Sequence, residues 1–395
     1  MMVRIIYIFL LTVVIPLFVS AQNDSTVVKK NSFENLAVAG MYQNGYVFPT
    51  NDFIRGRNAE RDTIDIFQSF SIKLLKQTTG KNEWEQLYNY PVYGVGFFFF
   101  DFHNPEEIGT PFSFYGFFKA DFKRWNKLSL NYEIGFGASF NWKSFNPITN
   151  KYNIAIGAGQ SFFIDAGLTL QYYLTKRINA EAGFSLSHFS NGALKKPNFG
   201  LNTIAPKISL TYNLADRPVF IKQEISKYIP ENELLFLVFG GTKNVIFDSV
   251  NIDILEKYEG LYFPVFGIST TYNRQVSYKS KIGIGMSISY NGSVNAQAAV
   301  DNNDLEIIDG PLSDKIQISI YPSYELVIHK ISIVLQPAFY LYRKKMKNQT
   351  PVFYQKIGIK YHFTDNYFVG ITLRDYNFHI SDFIEWNIGY RIKRK

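Results

Sequence analysis

The sequence predicts an all-β fold, a transmembrane antiparallel β-barrel with an even number of strands, about 14–16. Three observations predict it. The chain of 395 residues is rich in aromatic residues, with 37 Phe and 27 Tyr, which a membrane β-barrel can place on its outer wall and in its interfacial girdles. Apolar and polar residues alternate along most of the chain in runs of about 11–13 residues, close to the length that crosses a bilayer with tilt. Short and long connections alternate between these runs, as in outer-membrane barrels.

The first residues predict an exported protein. Arg4 is a basic start, residues 5–19 form an apolar core, and small residues at 19–21 suit cleavage. Residues 1–21 are therefore predicted to be a signal peptide, since the apolar run is short for the alternative, a membrane anchor. Later stretches fall short of the roughly 18 apolar residues that a membrane helix needs.

Composition narrows the classes of partner. Export without cysteine excludes a disulfide-stapled scaffold. The net charge is +8. Lys and Arg are scattered rather than gathered in one stripe, so nucleic acid is excluded as a partner. An anionic lipid surface is the more natural partner for this charge.

The clearest strand is predicted at residues 128–140. Its even positions run from Leu128 to Phe140 and are apolar, whereas its odd positions are Ser, Asn, Glu and Gly. The less apolar face lacks the many Lys and Glu residues of a soluble sheet, and therefore suits a barrel interior. Backbone groups in lipid must be paired, so such strands close into a barrel. A soluble all-β protein is the alternative.

Similar runs predict the other strands. They lie at 92–102, 112–124, 164–174, 178–190, 202–214, 233–245, 261–273, 279–290, 314–326, 329–343, 351–362, 366–377 and 382–392, with weaker candidates at 36–46 and 66–75.

The connections predict the orientation and the domain boundaries. Tight turns such as 175–177 are expected in the periplasm, and long connections such as 191–201 outside the cell. Residues 215–232 break the alternation as a long periplasmic connection between segments 22–214 and 233–395. The strands of 233–395 are expected to close the same large barrel; two eight-stranded units are the alternative.

One predicted hairpin carries a possible reactive group on its outer face. His188 and Ser190 share the face of Phe184 and Leu186, which is the lipid-facing one, and polar side chains there are costly. Asn202, on the returning strand, falls on the same side within reach of His188. A hydroxyl, a base and an orienting group are what nucleophilic acyl transfer needs.

The same hairpin resembles a known family. Residues 188–191 read His-Phe-Ser-Asn, and residues 195–200 read Lys-Lys-Pro-Asn-Phe-Gly. These stretches resemble the shared motif of the outer-membrane lipid A 3-O-deacylases (PagL type, acyloxyacyl hydrolase-like), and the resemblance covers roughly residues 90–214. It implies an eight-stranded barrel that removes an ester-linked acyl chain from lipid A without a metal or other cofactor.

The resemblance implies a role for each matching residue. It makes Ser190 the nucleophile and His188 the base. The oxyanion and substrate group that it implies consists of Asn191, Gly192, Ala193 and Asn198. Lys195 and Lys196 could contact lipid A phosphates, and a solvated loop pair is the alternative.

One position departs from the family pattern. Asn202 stands where the family carries its acidic triad member. An amide can hold a histidine tautomer but cannot stabilise imidazolium by charge, and that loss costs on the order of 10⁴ in rate in serine proteases. Glu181 is no substitute, because its parity turns it toward the interior.

These observations predict an esterase of the Gram-negative outer membrane that acts on lipid A in lipopolysaccharide. Two alternatives stay open. One is a transport or structural barrel with a vestigial Ser-His pair, since a barrel of about 16 strands can hold an aqueous channel. The other is a phospholipid acyl hydrolase.

Overall fold

The computed structural model describes residues 33–247, 251–348, 350–377 and 380–394. The predicted signal peptide, residues 1–21, lies outside these ranges and stays a prediction. Within them, no helix combines the length and the apolar character needed to span a bilayer. The strands are β1 (Leu36–Val47), β2 (Ile66–Gln77), β3 (Val92–Asp101), β4 (Gly109–Arg124), β5 (Leu128–Trp142), β6 (Gln160–Tyr173), β7 (Ile178–Ser190), β8 (Leu201–Asn213), β9 (Asn232–Lys243), β10 (Phe263–Ser277), β11 (Ser280–Asn291), β12 (Ile316–Ile328), β13 (Ile331–Tyr342), β14 (Phe353–His362), β15 (Tyr367–Tyr376) and β16 (Ile380–Arg394). The helices are α1 (Glu83–Leu87), α2 (Ile252–Tyr258), α3 (Val294–Asn302) and α4 (Leu312–Lys315).

The strands form two closed antiparallel barrels, β1–β8 (the first barrel) and β9–β16 (the second barrel). Strand β8 pairs with β1, and β16 pairs with β9. The predicted all-β barrel class is confirmed, but the expectation that residues 233–395 close the same large barrel is wrong. Alternation determines which face of a strand is apolar, whereas it does not determine which strands meet at a closure. The two eight-stranded units considered as the alternative are what the chain forms.

The outer walls are apolar, which inverts the pattern of a soluble protein. On β2, Phe70 and Ile72 are exposed and face outward, whereas Ser71 and Lys73 are buried in the interior. The same inversion recurs on β7, where Phe184 is exposed and its neighbour Ser185 is buried. An outward apolar face is what an antiparallel barrel presents to hydrocarbon.

Each barrel has a long-loop end and a short-turn end. In the first barrel the long-loop end carries connections 48–65, 102–108, 143–159 and 191–200, and the short-turn end carries the turns 125–127 and 174–177 together with one longer connection, 78–91. Odd-numbered strands run toward the long-loop end, because every pair is antiparallel. The end of β7 therefore lies at the long-loop end.

Side chains fill the interior of the first barrel. Near the long-loop end Phe98, Phe163 and Phe189 are fully buried and pack on one another, and the loop residues Phe53 and Ile156 join the same apolar cluster. An eight-stranded barrel is just wide enough for such filling. The wide bore on which the transport alternative depended does not form.

Ion pairs occupy the other half of this interior. Glu133 lies 2.5 Å from the Lys73 ammonium and 3.6 Å from that of Lys207. Glu181 pairs with Lys119, also inside the barrel. Pairing compensates buried charges that would otherwise be costly. Glu181 is thus engaged far along β7 from His188.

Residues 214–231 join the two barrels, close to the predicted connection 215–232. Their first part packs on the 78–91 connection, where Phe220 stacks on Tyr90 with ring centroids 4.4 Å apart. Ser226 donates hydrogen bonds to the Glu83 carboxylate, and these hold the pKa of Glu83 below its usual value. The periplasmic location of this connection stays a prediction.

Candidate active site

Strand parity places His188 on the outward face of the first barrel. Phe184 and Leu186 point outward with 60% and 51% exposure, whereas Ser187 and Phe189 are buried in the interior. Successive side chains of a strand point to opposite faces, so His188 shares the face of Phe184 and Leu186. Its side chain is half-buried at this position.

Asn202 holds the imidazole from the neighbouring strand. It lies directly opposite His188 in the β7–β8 register, and its Oδ1 is 2.6 Å from Nδ1 of His188. An amide oxygen only accepts hydrogen bonds, so Nδ1 carries the proton. The neutral ring then has its lone pair on Nε2, which is the form a general base requires.

Ser190 ends β7 and is held by Asn198 across the loop. The Nδ2 of Asn198 donates to Oγ of Ser190 at 2.8 Å, and its Oδ1 accepts from the backbone N–H of Asn191 at 3.1 Å. Ser190 is 8% exposed. One amide thus joins the two ends of the 191–200 connection and fixes the serine hydroxyl.

Gly200 lies beneath both reactive groups. Its φ is +74°, in the left-handed region that favours glycine. A Cβ atom at this position would lie 3.1 Å from Cε1 of His188 and 3.7 Å from Cβ of Ser190. Both side chains therefore lie close to this glycine, and a larger residue here would crowd the imidazole.

The other predicted site residues lie in the same connection. Asn191 is buried, and Gly192 and Ala193 follow with consecutive positive φ angles of +62° and +63°. Lys195 and Lys196 are exposed. Across the described ranges, no group of three or more His, Asp or Glu side chains is placed to hold a metal ion.

Sequence reasoning missed the loops that support Gly200. Asn51 donates to the carbonyl of Gly200 at 3.3 Å, and the N–H of Gly200 donates to the carbonyl of Ala155 at 2.9 Å. Phe199 bonds Ile154 in the same way, at 3.2 Å. These partners are distant in sequence, and the only local signal is that Asn51 caps its own turn.

Two family models match the chain. Residues 69–211 match the model described as lipid A 3-O-deacylase (PagL), and residues 232–394 match the model described as acyloxyacyl hydrolase, C-terminal domain. The chain belongs to this family of lipid A deacylases. It is accordingly a hydrolase of the bacterial outer membrane. The first match confirms the resemblance drawn from residues 188–200, and the second extends the family to the half of the chain that the resemblance left out.

Solved structures similar to this chain are also β-barrels. The outer membrane enzyme PagL is 16% identical, over 44% of this chain and 97% of that chain, with a TM-score of 0.28. Neisserial surface protein A is 8% identical, over 46% of this chain and 98% of that chain, with a TM-score of 0.29. No curated protein sequence matches the chain.

Proposed function

We propose that the first barrel removes an ester-linked acyl chain from lipid A by serine-histidine catalysis on its lipid-facing wall. The family assignment supports the substrate class. The observation that carries the mechanism is the pair of side-chain contacts around Gly200, His188 with Asn202 and Ser190 with Asn198.

The reaction begins at the serine hydroxyl. Oγ of Ser190 attacks the ester carbonyl carbon while its proton passes to Nε2 of His188, and the carbonyl electrons move onto oxygen. Collapse of this intermediate breaks the bond to the alcohol oxygen, which leaves with the proton from His188. Water then repeats the sequence on the acyl-serine and releases the fatty acid.

The negative oxygen of the intermediate needs hydrogen-bond donors. Asn198 carries an amide N–H₂ beside Oγ of Ser190, and the backbone N–H groups of Gly192 and Ala193 follow in the same connection. A single donor of this kind contributes on the order of 10²–10³ in kcat. We assign Asn198 and these backbone groups to the oxyanion.

Asn202 orients His188, but its amide carries no charge that would stabilise the imidazolium. Its amide oxygen fixes the productive tautomer of His188, but a neutral amide stabilises the imidazolium less than a carboxylate does. The site therefore works more slowly than the same geometry with an acidic residue. Slower turnover distinguishes this enzyme from one with a complete acid triad.

The position of the site indicates which leaflet of the membrane supplies the substrate. His188 and Ser190 lie on the outward face at the long-loop end, which is the extracellular end of an outer-membrane barrel. Lipid A occupies that leaflet. Lys195 and Lys196 are exposed in the adjoining connection, where ammonium groups can contact lipid A phosphates.

Mass spectrometry of lipid A tests this function. Incubation with the purified full chain should remove one ester-linked acyl chain, and Ser190→Ala should lower the rate by about 10⁴-fold or more. The matched control is Thr270→Ala, which removes an outward hydroxyl from the second barrel and should leave the rate unchanged. Unaltered lipid A, or loss of acyl chains from phospholipids alone, would contradict the proposal.

A further inference from the structure

The outer wall of the first barrel opens where β3 and β4 separate. Their ladder ends at the Phe99–Phe112 pair, whereas β3 continues to Asp101 and β4 already begins at Gly109. Register with β5 also shifts between Gly109 and Phe112. Pro111 lies in this stretch and cannot donate to a ladder. A notch of about 450 Å³ results, which is within the range of small-ligand sites.

The notch combines apolar walls with a polar rim. Phe70, Phe99 and Phe112 line it, together with the ring of Tyr42. Phe70 and Phe99 are about half-exposed, so their faces are open to an incoming chain. The rim consists of Gln68, Asp101, Thr110 and Asn141. A hydrocarbon chain fits the walls, and a polar group attached to that chain fits the rim.

The rim favours a hydrogen-bond donor over an anion. Asp101 accepts from Nε2 of Gln68 at 3.1 Å and from the backbone N–H of His103 at 2.9 Å. A carboxylate has about four acceptor positions, so it can accept from a further O–H or N–H. Its charge repels the carboxylate group of a free fatty acid. Asn141 is fixed by bonds to Thr110 and closes the other side.

The notch is separate from the candidate active site within the same barrel. The active-site side chains come from β7, β8 and the connection between them, whereas the notch is built on β1–β5. Strands β3 and β7 both run toward the long-loop end, where β3 ends at Asp101 and β7 at Ser190. Both features therefore lie at the level of the outer leaflet.

We propose that this notch is a second, non-catalytic lipid site that holds an acyl chain of lipid A. The chain packs between the Phe walls, and a hydroxyl or amide N–H of that chain donates to Asp101. Lipid A is chosen because it is the family's substrate and because an acyl chain that bears a hydroxyl or amide N–H can donate to Asp101, whereas the plain acyl chains of a glycerophospholipid have no such donor. The proposal depends on the substrate class and not on catalysis at Ser190.

Native mass spectrometry of the full chain tests the second site. The parent is Ser190→Ala, which stops turnover, and the probes are lipid A and dimyristoyl phosphatidylethanolamine. Thr110→Trp places an indole in the notch, and Asp101→Asn removes the rim charge. Each change should lower about tenfold the affinity for the lipid A molecule in the notch, which is the more weakly held one. The lipid A molecule at the active site should stay bound.

Thr270→Trp on the outer wall of the second barrel is the matched control and should leave lipid retention unchanged. Far-UV circular dichroism verifies that each variant is folded. Retention of lipid A by Thr110→Trp equal to that of the parent would overturn the proposal, as would equal retention of phosphatidylethanolamine in the notch. A notch that binds lipid A in a chain without esterase activity would refute only the proposed function.

Discussion

The two barrels share a strand count and differ in where they place polar groups at the long-loop end. In the first barrel the interior at this level is aromatic, with Phe163 and Phe189 fully buried, and the polar pair His188 and Ser190 lies on the outer wall. In the second barrel the interior holds a charged network around Arg374, which is 1% exposed. At its long-loop end, each barrel thus directs these polar side chains differently, outward in the first and inward in the second.

The charged groups of this network in the second barrel are paired with one another or with tyrosine hydroxyls. Nε of Arg374 donates to the Glu385 carboxylate at 3.0 Å, and Nη1 donates to the Tyr340 hydroxyl at 2.8 Å. Tyr376 donates to Asp382 at 3.0 Å. Such an arrangement satisfies buried charges and leaves them committed to structure. The comparison indicates that the face of the strand on which a polar residue lies separates a structural role from the proposed catalytic one.

Removing the Arg374 guanidinium gives the largest expected effect on this comparison. Arg374→Met should lower the free energy of unfolding by about 3–5 kcal/mol, because Glu385 loses its hydrogen-bonded partner in the interior and keeps only the Lys356 ammonium, 3.6 Å away. Urea unfolding in detergent measures it. The double variant Arg374→Met with Glu385→Leu should be less stable still, because the buried Lys356 then loses its carboxylate partner. A double variant as unstable as the single one would show that packing, rather than charge, dominates this network.

Adding a negative charge beside His188 tests the outward-facing pair of the first barrel. Asn202→Glu should raise kcat about tenfold or more, because a carboxylate stabilises the imidazolium that forms during attack. Lipid A turnover measures it. Asn202→Gln has the same length without the charge and should not raise the rate. A fall in rate with Glu below that with Gln would contradict the assignment of Asn202 to the base.

The smallest effect is expected at the two exposed lysines of the 191–200 connection. Lys195→Gln with Lys196→Gln should raise KM for lipid A roughly two- to tenfold with little change in kcat, since exposed ion pairs contribute weakly. Added salt should reduce the difference by screening. The control is Lys127→Gln at the short-turn end, which removes one positive charge, as each of the two test substitutions does. An unchanged KM would leave these lysines as ordinary solvated residues.

The predicted strands show how much of the fold can be predicted from one sequence. All sixteen alternating runs coincide with strands, including the weaker runs at 36–46 and 66–75. This prediction succeeds because the side-chain period of a strand is two residues and is local. The barrel count failed, because a closure such as β1 with β8 joins residues far apart in the chain.

The sequence alone determined a histidine near the end of a strand, a serine two residues later, and an amide on the returning strand. Tertiary structure decided what surrounds them. The carbonyl of Ala155 and the side chain of Asn51 reach Gly200 only after three loops pack together. It also decided that β3 and β4 separate to open a notch. Local periodicity is written in neighbouring residues, whereas closure and loop packing depend on contacts that no short stretch of sequence contains.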